Sequence, residues 1–316
     1  MTLDRYETST ERQRLSGRTE PRGSRTGFST FGAFVFGGVF VLVGMLVILV
    51  GIKVIPVDPK GVHAPYWILM VFGAVFACAG LMVWGMAWRQ YTANRRRMEV
   101  MERYAGEPAV ADYDWNSQGF AVNRWRRPVR ALGGAAFVTL FLSIFNYWGF
   151  WMQAPWMVKV IVILFDLVLL AVWWHAFLLL GRAIKFGGSR IEFADFPFRL
   201  TKPVVVRWQP ATGIAQARRG SFTLRCIAEW FETHGSGKNR SKRLVHEQIW
   251  GGSWFLDREH SFQPHENIEL RFEPGADAPP THLHADRPVF WELEVKLDLP
   301  GLDFWETYLV PVYAGT

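Results

Sequence analysis

The chain has 316 residues, more than one typical domain, and half of them are hydrophobic. Its 35 lysines and arginines against 28 acids leave a net charge of +7, but the arginines cluster beside apolar runs, where membrane orientation accounts for them without a nucleic-acid partner. Two cysteines, Cys78 in an apolar run and Cys226 in an alternating one, give no disulfide framework and suit a reducing compartment.

Residues 1–27 are polar and carry six arginines before any apolar run begins. They lack the immediate apolar core of a cleavable signal peptide and are expected to form a disordered cytoplasmic tail. A four-helix transmembrane domain is predicted over 28–181, with spans at about 31–52, 66–88, 131–151 and 157–181, each long enough for a hydrocarbon core of about 30 Å. In the first span Gly37, Gly44 and Gly51 recur every seven residues, and in the second Gly73, Ala77 and Gly80 form a matching small-residue stripe. Such stripes let helices approach closely in lipid, so an antiparallel pair is expected. Pro56, Asp58, Pro59 and Gly61 supply the turn between them.

Residues 89–130 form a basic connection with nine arginines, Arg89, Arg95, Arg96, Arg97, Arg103, Arg124, Arg126, Arg127 and Arg130. The other two connections hold only Lys53 and Lys60, or no cation at all. The bias places the tail, the long connection and everything after Gly181 in the cytoplasm of a bacterial-type cell, with four spans in its inner membrane and both termini inside. The third and fourth spans are joined by so short a turn that a helical hairpin follows. Trp67, Trp84, Trp88, Trp148, Trp151 and Trp156 lie near span ends, as an interfacial belt requires.

After Gly181 the period changes from helical to alternating. Along 288–299, Val289, Trp291, Leu293, Val295, Leu297 and Leu299 share one face, and Glu292, Glu294, Lys296 and Asp298 share the other, the pattern of a half-buried strand. Residues 221–233 behave alike, with Phe222, Leu224, Cys226, Ala228 and Trp230 on one face. Further strands are expected at 190–194, 204–208, 244–250, 268–272 and 304–312, separated by Gly- and Pro-rich turns. About seven strands with no helical pattern between them argue for an antiparallel sandwich over 187–316. The fold class is therefore α + β: two transmembrane helical hairpins followed by an all-β domain.

Residues 288–313, PVFWELEVKLDLPGLDFWETYLVPVY, resemble the final hairpin of an arrestin-like β-sandwich, a fold akin to the immunoglobulin sandwich. FTLRCIAEWFETHGSGKNRSK resembles the preceding long hairpin of uncharacterised bacterial multi-pass membrane proteins that place such a sandwich after two helical hairpins. The resemblance covers roughly residues 187–313. It implies an adaptor that binds other proteins at a membrane. Only one sandwich fits the chain, so the paired-domain organisation of arrestins, and receptor binding with it, is not implied.

The sharpest anomaly is Asp166, near the middle of the fourth span, where an ionised carboxylate costs roughly 2.5–3.5 kcal/mol. Ser143 is expected at about the same depth of the neighbouring helix, and Asn146 about one turn nearer the outer surface. A proton or ion relay through Asp166, Asn146 and His175 is one reading; a carboxyl that fixes helix packing is the other. His175 lies nine residues from Asp166, about 180° around the helix, so the two do not naturally form one site.

Lys238, Arg240, Lys242 and Arg243 form a basic hairpin tip, and Arg218 and Arg219 a second at what should be a neighbouring turn, both candidates for anionic lipid headgroups or for plain solvated turns. His234, His246, His260, His265, His282 and His284 invite a metal hypothesis, but nothing in their spacing shows convergence, and solvated loop histidines are the default. No phosphate loop, nucleophile elbow, paired-cysteine motif or His-Glu-x-x-His occurs. The sequence therefore points to a non-enzymatic membrane adaptor without a cofactor, contacting lipid and a protein partner. The rival is a small transporter or channel subunit using Asp166, which would require a homo-oligomer because four helices enclose little polar volume.

Overall fold

The computed structural model describes residues 3–16, 21–22, 30–57, 65–103, 113–152, 154–235, 240–263, 266–275, 277–283, 285 and 287–315. The chain divides into two units. One, Phe28–Arg95 with Trp125–Ala183, is helical; the other gathers Met1–Gly27, Arg96–Arg124 and Ile184–Thr316.

The helices are α1 (Thr30–Gly51), α2 (Tyr66–Arg103), α3 (Arg126–Asn146) and α4 (Trp156–Lys185). Four helices are long and apolar enough to cross a bilayer, and no more than 22% of the apolar stretch of any of them is buried. Leu42, Leu81, Leu164, Leu167 and Leu170 are all exposed. Helices that present leucine outward on every side need an apolar surrounding. The glycine stripes do what their spacing predicts. A Cβ at Gly44 would lie 2.5 Å from the Ala77 backbone nitrogen and 2.6 Å from the Gly73 carbonyl oxygen, and one at Gly37 would lie 2.9 Å from the Gly80 carbonyl oxygen. Backbone is thus packed on backbone, which only side-chain-free positions permit. Of the turn residues, Asp58, Pro59 and Gly61 lie outside the described residues.

The second unit is built from fourteen strands: β1 (Arg5–Ser9), β2 (Gln13–Leu15), β3 (Gly119–Ala121), β4 (Arg190–Phe193), β5 (Phe198–Arg199), β6 (Val204–Gln209), β7 (Gln216–Ala217), β8 (Arg219–His234), β9 (Ser241–Leu256), β10 (His260–Ser261), β11 (Ile268–Phe272), β12 (Val289–Asp298), β13 (Phe304–Val310) and β14 (Val312–Tyr313). The larger sheet runs β1-β9-β8-β12-β13, with β2 also on β9; the second runs β11-β6-β4-β3. Both are antiparallel.

Alternation creates the core between the sheets. Val204, Val206 and Trp208 of β6 and Ile268, Leu270 and Phe272 of β11 point inward to meet Phe222, Leu224 and Cys226 of β8 and Trp291, Leu293, Val295 and Leu297 of β12. Trp208 packs edge-on to Phe222 at 5.3 Å. Its indole nitrogen donates to the buried Tyr308 hydroxyl at 3.1 Å, which in turn donates to Ser189. The polar handles of two large aromatics are thereby satisfied inside the core.

Four expectations are corrected. The tail is not wholly disordered: β1 and β2 pair with β9, because its alternating polar residues have an open strand edge to join. The connection is more than a basic linker, since β3 pairs with β4, and Tyr113, Trp115, Phe120 and Val122 pack on the strand unit's apolar clusters. The strand expected at 244–250 is part of a longer one, β9, with β2 paired to its residues 246–248 and β1 to 251–255. Finally, the polar face of β12 is only partly solvated: Lys296 and Asp298 are exposed, but Glu292 and Glu294 are buried.

Replacing Gly44 with Leu is expected to lower the thermal midpoint of the detergent-solubilised protein sharply, by an overpacking cost of at least about 1–3 kcal/mol. Gly85→Ala, where an added Cβ meets nothing within 4 Å, should be neutral or slightly stabilising.

Candidate functional site

The structure brings Asp166 and Asn146 together. The Asn146 side-chain amide donates to Asp166 Oδ1 at 2.9 Å and also to the Leu142 carbonyl at 3.2 Å. Asn146 ends α3 where the helix widens into a π-helical turn, Tyr147–Trp151. Such turns recur at functional sites because they displace side chains from the regular helical face. Next to the pair lies an open groove of about 540 Å³ lined by Thr139, Leu142, Ser143, Asn146, Tyr147, Phe150, Trp151 and Leu169. Ser143 is exposed, and its hydroxyl bonds back to the Leu140 carbonyl instead of reaching Asp166. His175 is exposed, and Trp173 rather than His175 makes the other polar link of α4, donating to Thr139 Oγ1 at 2.9 Å. The pair has the geometry of a polar clasp between helices, joining two of the four residues named from the sequence.

The basic tips do not converge. Arg219 begins β8, opposite Asp298, whereas Lys242 and Arg243 face Thr233 and Glu232 at the far end of the same strand. At about 3.3 Å per residue the two ends of this 16-residue strand are on the order of 45 Å apart. They therefore form two separate patches, Arg218 and Arg219 at one end and Arg240, Lys242 and Arg243 at the other; Lys238 lies outside the described residues.

Among the described residues no group of three His, Cys, Asp or Glu side chains converges as a metal site would require. His234 pairs with Glu232, His260 with Glu266, and His282 joins the backbone of Val289 in an isolated bridge. His265 and His284 lie outside the described residues. Burial pushes the Cys226 thiol up, away from the thiolate that nucleophilic chemistry requires.

The most concentrated chemistry is on the outward face of the larger sheet, at residues the sequence had marked as solvent-facing or not at all. Glu229 of β8 stands opposite His246 of β9, with His246 Nε2 and Glu229 Oε2 2.9 Å apart and both side chains 2% exposed. His246 sits edge-on to Phe290. Farther along, Arg225 Nη2 lies 2.6 Å from Glu294 Oε2, Lys296 is 3.1 Å from the same oxygen, and the Trp305 indole donates to Oε1 at 3.0 Å. Residues of the N-terminal segment lie over this face. The Arg22 backbone N–H donates to Glu229 at 2.8 Å and its guanidinium to Thr307 at 3.1 Å. Leu15 packs on the cluster of Ile227, Leu283, Phe290 and Leu309. β8 alternates without a break against β12, so Cys226 enters the core between the sheets while Ile227, its neighbour, joins the outward cluster; the register shift at this point leaves Ile249 of β9 as the extra residue.

Burial alone would raise the Glu294 carboxyl, but the Arg225 guanidinium and the Lys296 ammonium outweigh it and hold the group below its ordinary value. A carboxyl lowered on folding contributes stability that is present above its unfolded value, about 4.3, and is lost as pH falls through the folded value. Glu294→Gln should therefore lower stability at neutral pH and flatten the loss of stability below about pH 4, read as thermal midpoints across a pH series. In the helical unit, Asn146→Leu leaves the Asp166 carboxyl without that donor and should cost about 1 kcal/mol in a denaturation assay in detergent.

No family model matches the chain, and no curated protein is significantly similar to it. Among solved structures the chain is similar to the crystal structure of Spo0M, a sporulation control protein from Bacillus subtilis, at 16% identity and a TM-score of 0.20, over 40% of this chain. The match spans less than half of that protein, 43% of its chain. A superposition that loose carries no argument about fold or role.

Proposed function

We propose that this is an integral membrane protein of the bacterial inner membrane, in which two antiparallel helical hairpins hold an arrestin-like strand module in the cytoplasm, where it acts as a non-enzymatic adaptor for a protein partner. The observation that carries the reading is the make-up of the strand unit. It draws one segment from before α1, one from between α2 and α3, and one from after α4. A single hydrogen-bonded unit cannot be divided by a bilayer. If the four apolar helices cross it, an even number of crossings must separate each segment from the next, and two pairs of spans meet that condition. The arginines of the tail and connection then favour the cytoplasmic side.

A transport role for Asp166 draws on the groove beside it, but the carboxyl is joined to Asn146 rather than to a chain of titratable groups, which favours a packing role. Contact between anionic lipid and the two separate basic patches remains part of the proposal, each near-surface cation contributing about 1 kcal/mol.

Single cysteines at Asn116 and Arg258, in a background carrying Cys78→Ala and Cys226→Ala, should both resist an impermeant thiol reagent in intact spheroplasts and both react after permeabilisation. Labelling of one but not the other from outside would contradict the topology. Intact protein purified in mild detergent should retain a reproducible protein partner; repeated isolation without one would count against the adaptor role.

A further inference from the structure

The outward face of the larger sheet is not built as stability alone would build it. Glu229 and His246 are each 2% exposed, Glu292 1% and Glu294 3%. Apolar side chains of similar volume would serve folding as well or better than buried charge. The segment over this face, by contrast, is lightly held. β1 pairs over five residues and β2 over three, and most of their side chains are exposed. The ion pairs Arg5–Glu7 and Arg14–Glu232 are surface pairs, worth little. Leu3, Tyr6 and Leu15 are its apolar anchors. Its other contacts include Asp4 accepting from the Asp257 N–H, Arg5 over the Phe255 ring, Arg14 toward Glu232, the Arg22 N–H to Glu229 and the Arg22 guanidinium to Thr307.

We propose that this face is a docking site for an extended, arginine-bearing segment of a partner protein, and that residues 3–16 and 21–22 of the chain are its resident occupant, displaced when the partner binds. The proposal rests on the adaptor reading and names the chemistry of the partner. An incoming strand adds to the open side of β9 through main-chain hydrogen bonds, as β1 and β2 do. An apolar side chain takes the place of Leu15 on Ile227, Leu283, Phe290 and Leu309. A cation takes the place of Arg14 beside Glu232 and another that of Arg22 beside Thr307, and a backbone N–H takes that of Arg22 on Glu229, so charge as well as shape selects the ligand. A short, exposed, polar strap is the part of such a unit that opens first, and the occupied fraction of the site sets the apparent affinity for a competitor.

The test uses the full chain in detergent and a fluorescent peptide of residues 3–22. A chain carrying Leu15→Ala and Arg22→Ala should bind the peptide at least tenfold more tightly than the wild-type chain, and a peptide carrying Arg14→Ala and Arg22→Ala should bind that chain at least tenfold more weakly. Equal affinity for the two chains, or no binding by a variant that still unfolds cooperatively, overturns the proposal. Loss of cooperative unfolding in the variant also overturns it, by making the segment an indispensable part of the fold. So does assembly of the variant into dimers that exclude the peptide. If the peptide fails while a protein partner still co-purifies with the chain, only this site falls and the adaptor reading stands.

Discussion

Backbone hydrogen bonding between β3 and β4, and between β1, β2 and β9, joins parts of the chain that the apolar helices hold far apart in sequence. These pairings are short, but each closes a loop containing helices long enough to cross a membrane. That constraint governs the architecture. The strand unit is complete only when a segment preceding the first helix and another between the second and third have reached the sheets grown from the last third of the chain. Folding of the module is thereby coupled to how the helices between its segments are arranged. The Trp115 indole, which donates to the Tyr313 hydroxyl, ties the middle segment to the end of the chain as well.

Within each unit a different force dominates. In the helical unit many apolar side chains point outward, and close backbone approach at Gly37, Gly44, Gly73 and Gly80 and the Asn146–Asp166 bond join the helices. In the strand unit apolar burial dominates, with Trp208, Trp291 and Tyr308 at the centre. The outward face of the larger sheet follows neither rule. It excludes water yet retains carboxylates, an imidazole and a guanidinium, which makes its cover matter more than its few contacts imply.

Much of this was legible in the sequence, because the informative signals are periodic. Four apolar runs of spanning length, the seven-residue glycine spacing and the alternation along 204–208, 268–272 and 289–299 each report a local geometry, and each corresponds to an element of the structure. The antiparallel register expected of a short-looped hairpin put Ser143 level with Asp166 and Asn146 a turn away, whereas the bond observed is to Asn146. What was illegible depended on contacts distant in sequence. A polar strand such as Arg5–Ser9 looks like disordered chain until its partner edge is known. Glu292 and Glu294 alternate like any solvated pair, and the burial of Glu294 depends on Arg225, Lys296 and Trp305 closing around it. The separation of Arg218 and Arg219 from Lys242 and Arg243 follows from β8, expected over 221–233 and observed over Arg219–His234, whose antiparallel pairing with β9 puts the two groups at opposite ends of one strand.

The central claim is that three separated segments form one folded unit, and hydrogen exchange read by mass spectrometry on the intact protein in detergent tests it most directly. The account predicts that amides of residues 5–9 and 119–121 exchange measurably more slowly than unstructured chain, with residues 5–9 exchanging sooner than β4 and β9. Exchange of both segments at the rate of unstructured chain, while β4 and β9 stay protected, would contradict it.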